Sequence, residues 1–384
     1  MQYTLACDTW DHEEIDAIQE VIKSGRYTMG ARVKQFEKEF AEYFYASEAV
    51  MVNSGSTANL LILATMALRH GLKGDIIVPA LSWSTTFFPV HQYGFRLNFV
   101  DVDMDTLNID VNKIEAAITP DTCAIFAVNI LGNSCEYEKL AKIAKDNNLM
   151  LIEDNCESFG AITDTGEFAG TEGLMGSFSF FFSHHLQTME GGMILCKDPK
   201  DADFIRSLRA HGWIRDLSDD NELLKKTGDP FKDSFTFVTP GYSVRPLEMS
   251  GAVGSVQLKK WEKMWLQRIA NAEYFKKTVG SLKGVKTQKE VGKSSWFAFS
   301  MIFTDHLKGR RQEIVEKFRE HGIESRPVVA GNFMRNPVIT YLDYINNGDY
   351  SSADYIHVNG MYIGNDITDL KEKIDVVYDI LKGM

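Results

Sequence analysis

Three short stretches hold the residues most capable of chemistry. In FSFFFSHHLQTMEGG (178–192) an apolar run gives way to Ser183, two adjacent imidazoles, His184 and His185, and a pair of glycines. Neutral imidazole titrates near pH ~6.5, so a histidine placed here can take or give a proton under physiological conditions. Loop histidines satisfied by their neighbours are the plain alternative. In LIEDNCESFGA (151–161) Glu153 and Asp154 close an apolar run. One carboxylate there is poised over a sheet edge, or both are loop and helix-capping acids. In NSGSTANLL (53–61) a strand end passes through Gly-Ser-Thr into a helix start, which offers backbone N–H groups, hydroxyls and the helix dipole to an anion. A Ser/Thr helix cap accounts for the same letters.

A fourth stretch, VPALSWSTTFF (78–88), sets Trp83 just past another apolar run, where an indole either fills the core or stacks on a flat ligand. Neither GxxxxGK[ST] nor GxGxxG occurs, so a nucleoside triphosphate or dinucleotide is not indicated, whereas a single phosphate fits. Cys7, Cys123, Cys135, Cys156 and Cys196 are scattered, with no CxC or CxxC pair. No metal or iron–sulfur site is expected from them.

The elements that must position these residues follow from the apolar pattern. AVMVNS, DIIVPA, RLNFVDV, CAIFAVNIL, LMLIEDN, SFSFFF and GMILC read as strands, and TANLLILATMALRH and YEKLAKIAKDNN as amphipathic helices between them. That alternation implies an α/β chain with a mostly parallel sheet, whose strand ends place ligands. A long helix over roughly 246–277 follows TPGYSVRP. After it, SWFAFSMIF and IESRPVV read as strands and RRQEIVEKFREHGI as a helix. We expect a large domain over 1–250 and a long connecting helix with a small C-terminal α/β domain over 251–384. The 384 residues, 44% hydrophobic and 24% charged, suffice for both cores. A net charge of -12 argues against nucleic acid and anionic membrane as partners. The N-terminal MQYTLACDTWDHEE lacks the basic start and apolar stretch of a signal peptide, so a cytoplasmic protein is expected.

In order and spacing these stretches resemble the sugar aminotransferase and dehydratase family (DegT/DnrJ/EryC1/StrS type), which acts on nucleotide-linked keto sugars with pyridoxal phosphate chemistry. The resemblance runs through SGRYTMGARVKQFEKEFAEYF, NSGSTANLL, GDIIVPALSW, FVDVDMDTLNID, CAIFAVNILGN, IEDNCESFGA, GTEGLMGSFSF, EGGMILC and PGYSVRPLEMSGAVGSVQL, nearly the whole chain. It implies an aspartate aminotransferase-like fold (PLP fold type I) and a homodimer with shared active sites. By position, it implies that Asp154 pairs with the pyridine nitrogen of the cofactor and that Trp83 stacks on the ring. Gly55, Ser56 and Ser179 would hold the phosphate, with Thr57 close by. Glu157 falls where many relatives have a Gln beside the ring, and Ser243 where many have an Asn that reaches across the dimer.

One departure bears on the chemistry. Family members commonly read FSF-x-x-[ST]-K, the lysine tethering the cofactor aldehyde, but six residues after Phe178 this chain has His184. No lysine occurs between Lys145 and Lys197. A branch of the family makes this exchange: 3-dehydratases of 4-keto-6-deoxy sugars, which use free pyridoxamine 5'-phosphate. Lacking a CxC, the chain resembles the cluster-free branch acting on a GDP-linked 4-keto-6-deoxymannose. The resemblance implies that pyridoxamine phosphate condenses with the C4 ketone and that His184 moves the proton that drives loss of the C3 hydroxyl. L-glutamate then regenerates the cofactor from pyridoxal 5'-phosphate. His211 matches a histidine of that branch, with a helix-end histidine as its alternative. Arg326 and Arg335 suit a diphosphate or, equally, surface ion pairs. An aminotransferase using another lysine and a catalytically silent binding protein are the competing readings.

Overall fold

The computed structural model describes residues 2–384. The apolar runs of the first half become β1 (Glu48–Val52), β2 (Asp75–Pro79), β3 (Arg96–Val100), β4 (Thr122–Val128), β5 (Met150–Asp154), β6 (Met175–Ser179) and β7 (Gly192–Cys196). Later in the chain come β8 (Val285–Lys286), β9 (Ala298–Phe303), β10 (Ser325–Arg326), β11 (Tyr344–Ile345) and β12 (Gly360–Gly364). Eight strands form one sheet in the order β1-β7-β6-β5-β4-β2-β3-β11, and four form a second in the order β10-β12-β9-β8. All neighbours in the large sheet from β6 to β11 run parallel, and β7 alone is antiparallel to both of its neighbours. Helices cover both faces, so the central strands are buried on each side and read as unbroken apolar runs.

Because β1, β2, β4, β5 and β6 point the same way, their C-terminal ends line one edge, and β7 begins there. That edge carries the motifs beginning at Asn53, Ala80, Asn129, Asn155 and Phe180. Crossover helices Gly55–Leu68, Ser84–Gln92 and Tyr137–Asp146 return the chain to the opposite edge. The helix Tyr137–Asp146 is amphipathic as expected, burying Tyr137, Leu140, Ile143 and Ala144. The helix Gly55–Leu68 is not. It is buried almost all round, because it is wedged between the sheet and the helices Ser84–Gln92 and Pro199–Arg209.

The long helix runs over Glu248–Lys277, starting after Pro246. Its first half packs on the helices His12–Ser24 and Ala31–Tyr43, and Trp261 joins an aromatic cluster with Phe36, Phe40, Phe44, Phe159, Phe178 and Phe180. Its end contributes Ala272 and Phe275 to the core over the second sheet. Two expected strands are shorter than their apolar letters. β6 stops at Ser179 because the chain turns, with the His184 N–H donating to the Phe181 carbonyl at 2.8 Å. IESRPVV pairs only at Ser325 and Arg326. Val329 (φ 34°) and Ala330 (φ 65°) then turn the chain towards the end of β2, where the Phe333 N–H donates to Ala80. Among the described residues no helix is long and apolar enough to cross a membrane.

Candidate active site

A cavity of about 350 Å³ opens at the C-terminal edge of the large sheet, roofed by the second sheet. Gly55, Ser56, Trp83, Asp154, Glu157, Ser179, His184 and Arg326 all line it, so residues from across the sequence converge on one site. No lysine lines it.

Its floor starts at the helix Gly55–Leu68. Ser54 caps this helix, and the N–H groups of Gly55 and Ser56 have no acceptor among the described residues. A Cβ on Gly55 would meet Ser179 Cβ at 2.6 Å and Cys156 Sγ at 2.8 Å, so only glycine lets the helix start approach the end of β6. Two free N–H groups, the Ser56 and Ser179 hydroxyls and the positive helix end form a cradle for a phosphate. Thr57, expected beside it, does not line the cavity. Its hydroxyl is consumed by the cap, donating to Asn53 Oδ1 at 2.7 Å and to the Ser54 carbonyl at 2.9 Å.

Asp154 ends β5 and is 5% exposed. Its Oδ2 accepts from Asn59 Nδ2 at 2.8 Å and Thr86 Oγ1 at 2.7 Å, and its Oδ1 from the Cys156 N–H at 3.1 Å. Strand alternation turns Glu153 the other way. Glu153 accepts from the Gly170 and Gly173 N–H groups at 2.6 Å each and shapes that loop, and burial raises its carboxyl pKa. Trp83 is 57% exposed and faces the cavity, so it is not a core residue. A phosphate cradle, an exposed indole and a fixed carboxylate fit a planar phosphorylated pyridine.

His184 forms part of the wall. Its ring meets Phe297 edge-on at 5.3 Å and Phe181 at 6.0 Å, and its Nδ1 is sealed from solvent without a partner. Burial, helped by the Arg268 guanidinium, pushes its pKa down to about 4. It is a neutral imidazole at physiological pH. His185 points into the core, 1% exposed, with Nε2 3.2 Å from the Ser295 carbonyl and its ring perpendicular to Trp261 at 5.2 Å. Those contacts make it a packing residue. Arg268, 3% exposed, has no acid within ion-pair distance among the described residues. It donates to the Asn365 carbonyl at 2.7 Å and lies near the Trp296 and Phe297 carbonyls.

Glu157 accepts from the Leu131 N–H at 3.0 Å. Burial, opposed by that bond and reinforced by the charge of Asp154, raises its pKa to about 7. Arg326 pairs across strands with Tyr362, which also lines the cavity, and makes no ion pair among the described residues. Arg335 lies outside the cavity, its Nε donating to Asp354 Oδ1 at 2.6 Å, so for it the ion-pair alternative holds. His211 and Ser243 adjoin one another through a bridge between Ala210 and Ser243, but neither lines this cavity. Asn59 and Thr86, which orient Asp154, lie inside motifs quoted above. Tyr362, Phe297, Val329 and Arg268 come from segments with no local signal for the site.

Residues 8–381 match the DegT/DnrJ/EryC1/StrS aminotransferase family. The chain is 48% identical over its full length to the GDP-4-keto-6-deoxy-D-mannose 3-dehydratase of Yersinia pseudotuberculosis, 98% of which it covers. A crystal structure of a His-to-Asn variant of GDP-4-keto-6-deoxymannose-3-dehydratase with bound GDP-perosamine superposes with a TM-score of 0.96 at 46% identity, over 99% of this chain and 100% of that one. A structure of GDP-4-keto-6-deoxymannose-3-dehydratase with a trapped PLP-glutamate geminal diamine gives the same score, identity and coverage.

Proposed function

The chain belongs to the DegT/DnrJ/EryC1/StrS aminotransferase family, and from that premise we propose that it is a GDP-4-keto-6-deoxymannose 3-dehydratase. It converts GDP-4-keto-6-deoxymannose to GDP-4-keto-3,6-dideoxymannose with pyridoxamine phosphate, and L-glutamate regenerates the cofactor. The observation that carries this reading is the neutral His184 standing in a lysine-free cavity that also holds a phosphate cradle and a fixed carboxylate. The matched enzymes bear this name, and one of their structures holds a PLP-glutamate adduct.

Gly55, Ser56 and Ser179 hold the cofactor phosphate, Trp83 stacks on the ring, and Asp154 pairs with the ring nitrogen. When bound, the cofactor supplies an amine for the C4 ketone and a ring that accepts an electron pair. With no lysine to tether it, these contacts keep it in place through turnover. His184 takes the proton from the C4′ carbon, a task for which its low basicity is offset by proximity. Phe297 and Phe181 fix its ring and limit water around it. Arg326, unpaired at the mouth, meets the diphosphate.

The working unit is a homodimer in the cytoplasm, and the partner's site receives His211 and Ser243. This is supported by their position together outside this chain's own cavity and by the exposure of Ser243. Incubation with GDP-4-keto-6-deoxymannose, pyridoxamine phosphate and glutamate tests the function. Equal amounts of 3-deoxy sugar, ammonia and 2-oxoglutarate are expected, and absence of the 3-deoxy product overturns it.

A further inference from the structure

Dehydration needs a proton for the departing hydroxyl as well as a base, and three carboxyls line the cavity: Asp154, Glu157 and Glu190, the last exposed to solvent. Asp154 is occupied, its oxygens already receiving three donors. Among the described residues Glu157 receives only the Leu131 N–H on Oε2, and its Oε1 has no partner and remains open to the cavity. No cation lies within ion-pair distance of it among the described residues. The ionisable groups on the same cavity are Asp154 and Cys156 on its own segment, His184 on the wall, the exposed Glu190, and Tyr362 with Arg326 on the roof.

Backbone geometry couples Glu157 to His184. Leu131 donates to Glu157 from a left-handed conformation (φ 53°), which is costly for a residue with a Cβ. Its carbonyl accepts from the Phe297 N–H at 3.1 Å, and the Phe297 ring packs on His184. Trp296, beside Phe297, is also left-handed (φ 51°), and Gly132 must be glycine because a Cβ would meet the Trp296 and Phe297 N–H nitrogens at 2.5 and 2.6 Å. The strained pair of loops thus fixes the carboxyl and the imidazole on one cavity.

We propose that Glu157 is the acid that protonates the departing C3 hydroxyl, an assignment that rests on the dehydratase reading above. As the C3–O bond breaks, its electron pair goes to oxygen, and the Glu157 proton passes to that oxygen, so water leaves and a carboxylate remains. The electrons that expel the hydroxyl are those released when His184 takes the C4′ proton, and the resulting imidazolium or solvent reprotonates Glu157. The environment suits this division. Burial drives the two groups in opposite directions, the imidazole down to about 4 and the carboxyl up to about 7, so near neutrality the base is free and the acid is loaded.

Glu157→Gln tests it, because the amide oxygen still accepts from Leu131 while the acid is gone. Dehydration is expected to fall by ~10²-fold or more, while the glutamate half-reaction, which expels no sugar hydroxyl, stays within about threefold; His184→Asn loses both. In cofactor-free full-length protein, the ¹³C carboxyl resonance absent from the Gln variant is expected to titrate near pH 7, because burial holds this carboxyl up at about 7. Normal dehydration by the Gln variant, equal loss of both half-reactions, or a carboxyl titrating at an ordinary ~4.3 overturns the assignment. A wild-type chain that completes the glutamate half-reaction but leaves the sugar untouched overturns instead the function proposed above.

Discussion

At the floor of the cavity, Gly55, Asp154 and Ser179 stand at strand ends or in the first turn of a helix, and three donors fix the Asp154 carboxylate. On and behind the opposite wall, Leu131, Trp296, Val329 and Ala330 are left-handed non-glycine residues, while His184 Nδ1 and Arg268 Nε lack partners among the described residues. Each such residue costs of order 1–3 kcal/mol and persists only where its surroundings over-determine it. The floor is built for holding a ligand with regular structure. On the proposed function, the wall spends stability to fix the orientation and charge state of the groups that move protons.

Breaking the floor should have a larger effect than altering the surroundings of the wall's histidine. Asp154→Ala removes the proposed partner of the ring nitrogen and leaves Asn59 and Thr86 without their acceptor; turnover should fall ~10²–10³-fold in steady-state assays, the range for losing one electrostatic contact to a reacting centre. Gly55→Ala forces a Cβ against Ser179 and Cys156. That overpacking, ~1–3 kcal/mol, should weaken cofactor retention roughly tenfold or more in equilibrium dialysis.

Around the wall's histidine, changes that leave the imidazole in place have smaller effects, which show in pH and stability. His184 is a base only above its pKa, so the rate should fall as pH drops towards 4. Arg268→Met removes the lesser of the two causes of that low value. The acid limb of the glutamate half-reaction should therefore move upward, towards but not reaching ~6.5. Ala330→Gly relieves a left-handed residue (φ 65°) at the cost of a more flexible unfolded chain. The net gain should be a few tenths to about 1 kcal/mol in urea denaturation.

The same contrast decides what could be read from the letters. Gly55, Asp154 and His184 were legible because each lies in a contiguous motif at a strand end, and the parallel sheet aligns those ends. The role of Asn59 and Thr86 was not, since their target is 95 and 68 residues away. Thr57 looked like a phosphate ligand because a helix cap and an anion site use the same residues. Arg326 and Arg335 could not be told apart until Asp354, folded back on the helix Ser351–Asn359, was seen to pair with only one. The helix Gly55–Leu68 was misread because periodicity reports an exposed face, and this helix has almost none. Nothing in PVVAGN announces a left-handed valine, and no local pattern ties Arg268 or Phe297 to His184.

The adjacent histidines provide the most direct test. They share a loop, but His184 faces the cavity and His185 packs under Trp261. Conversion of pyridoxal phosphate to pyridoxamine phosphate by glutamate, followed by absorbance in a single turnover, should be slowed ~10²–10⁴-fold in His184→Asn. His185→Asn should lower the melting temperature and leave that rate within about tenfold, since it removes packing and not the base. A fast His184→Asn paired with an inactive, well-folded His185→Asn would contradict the account.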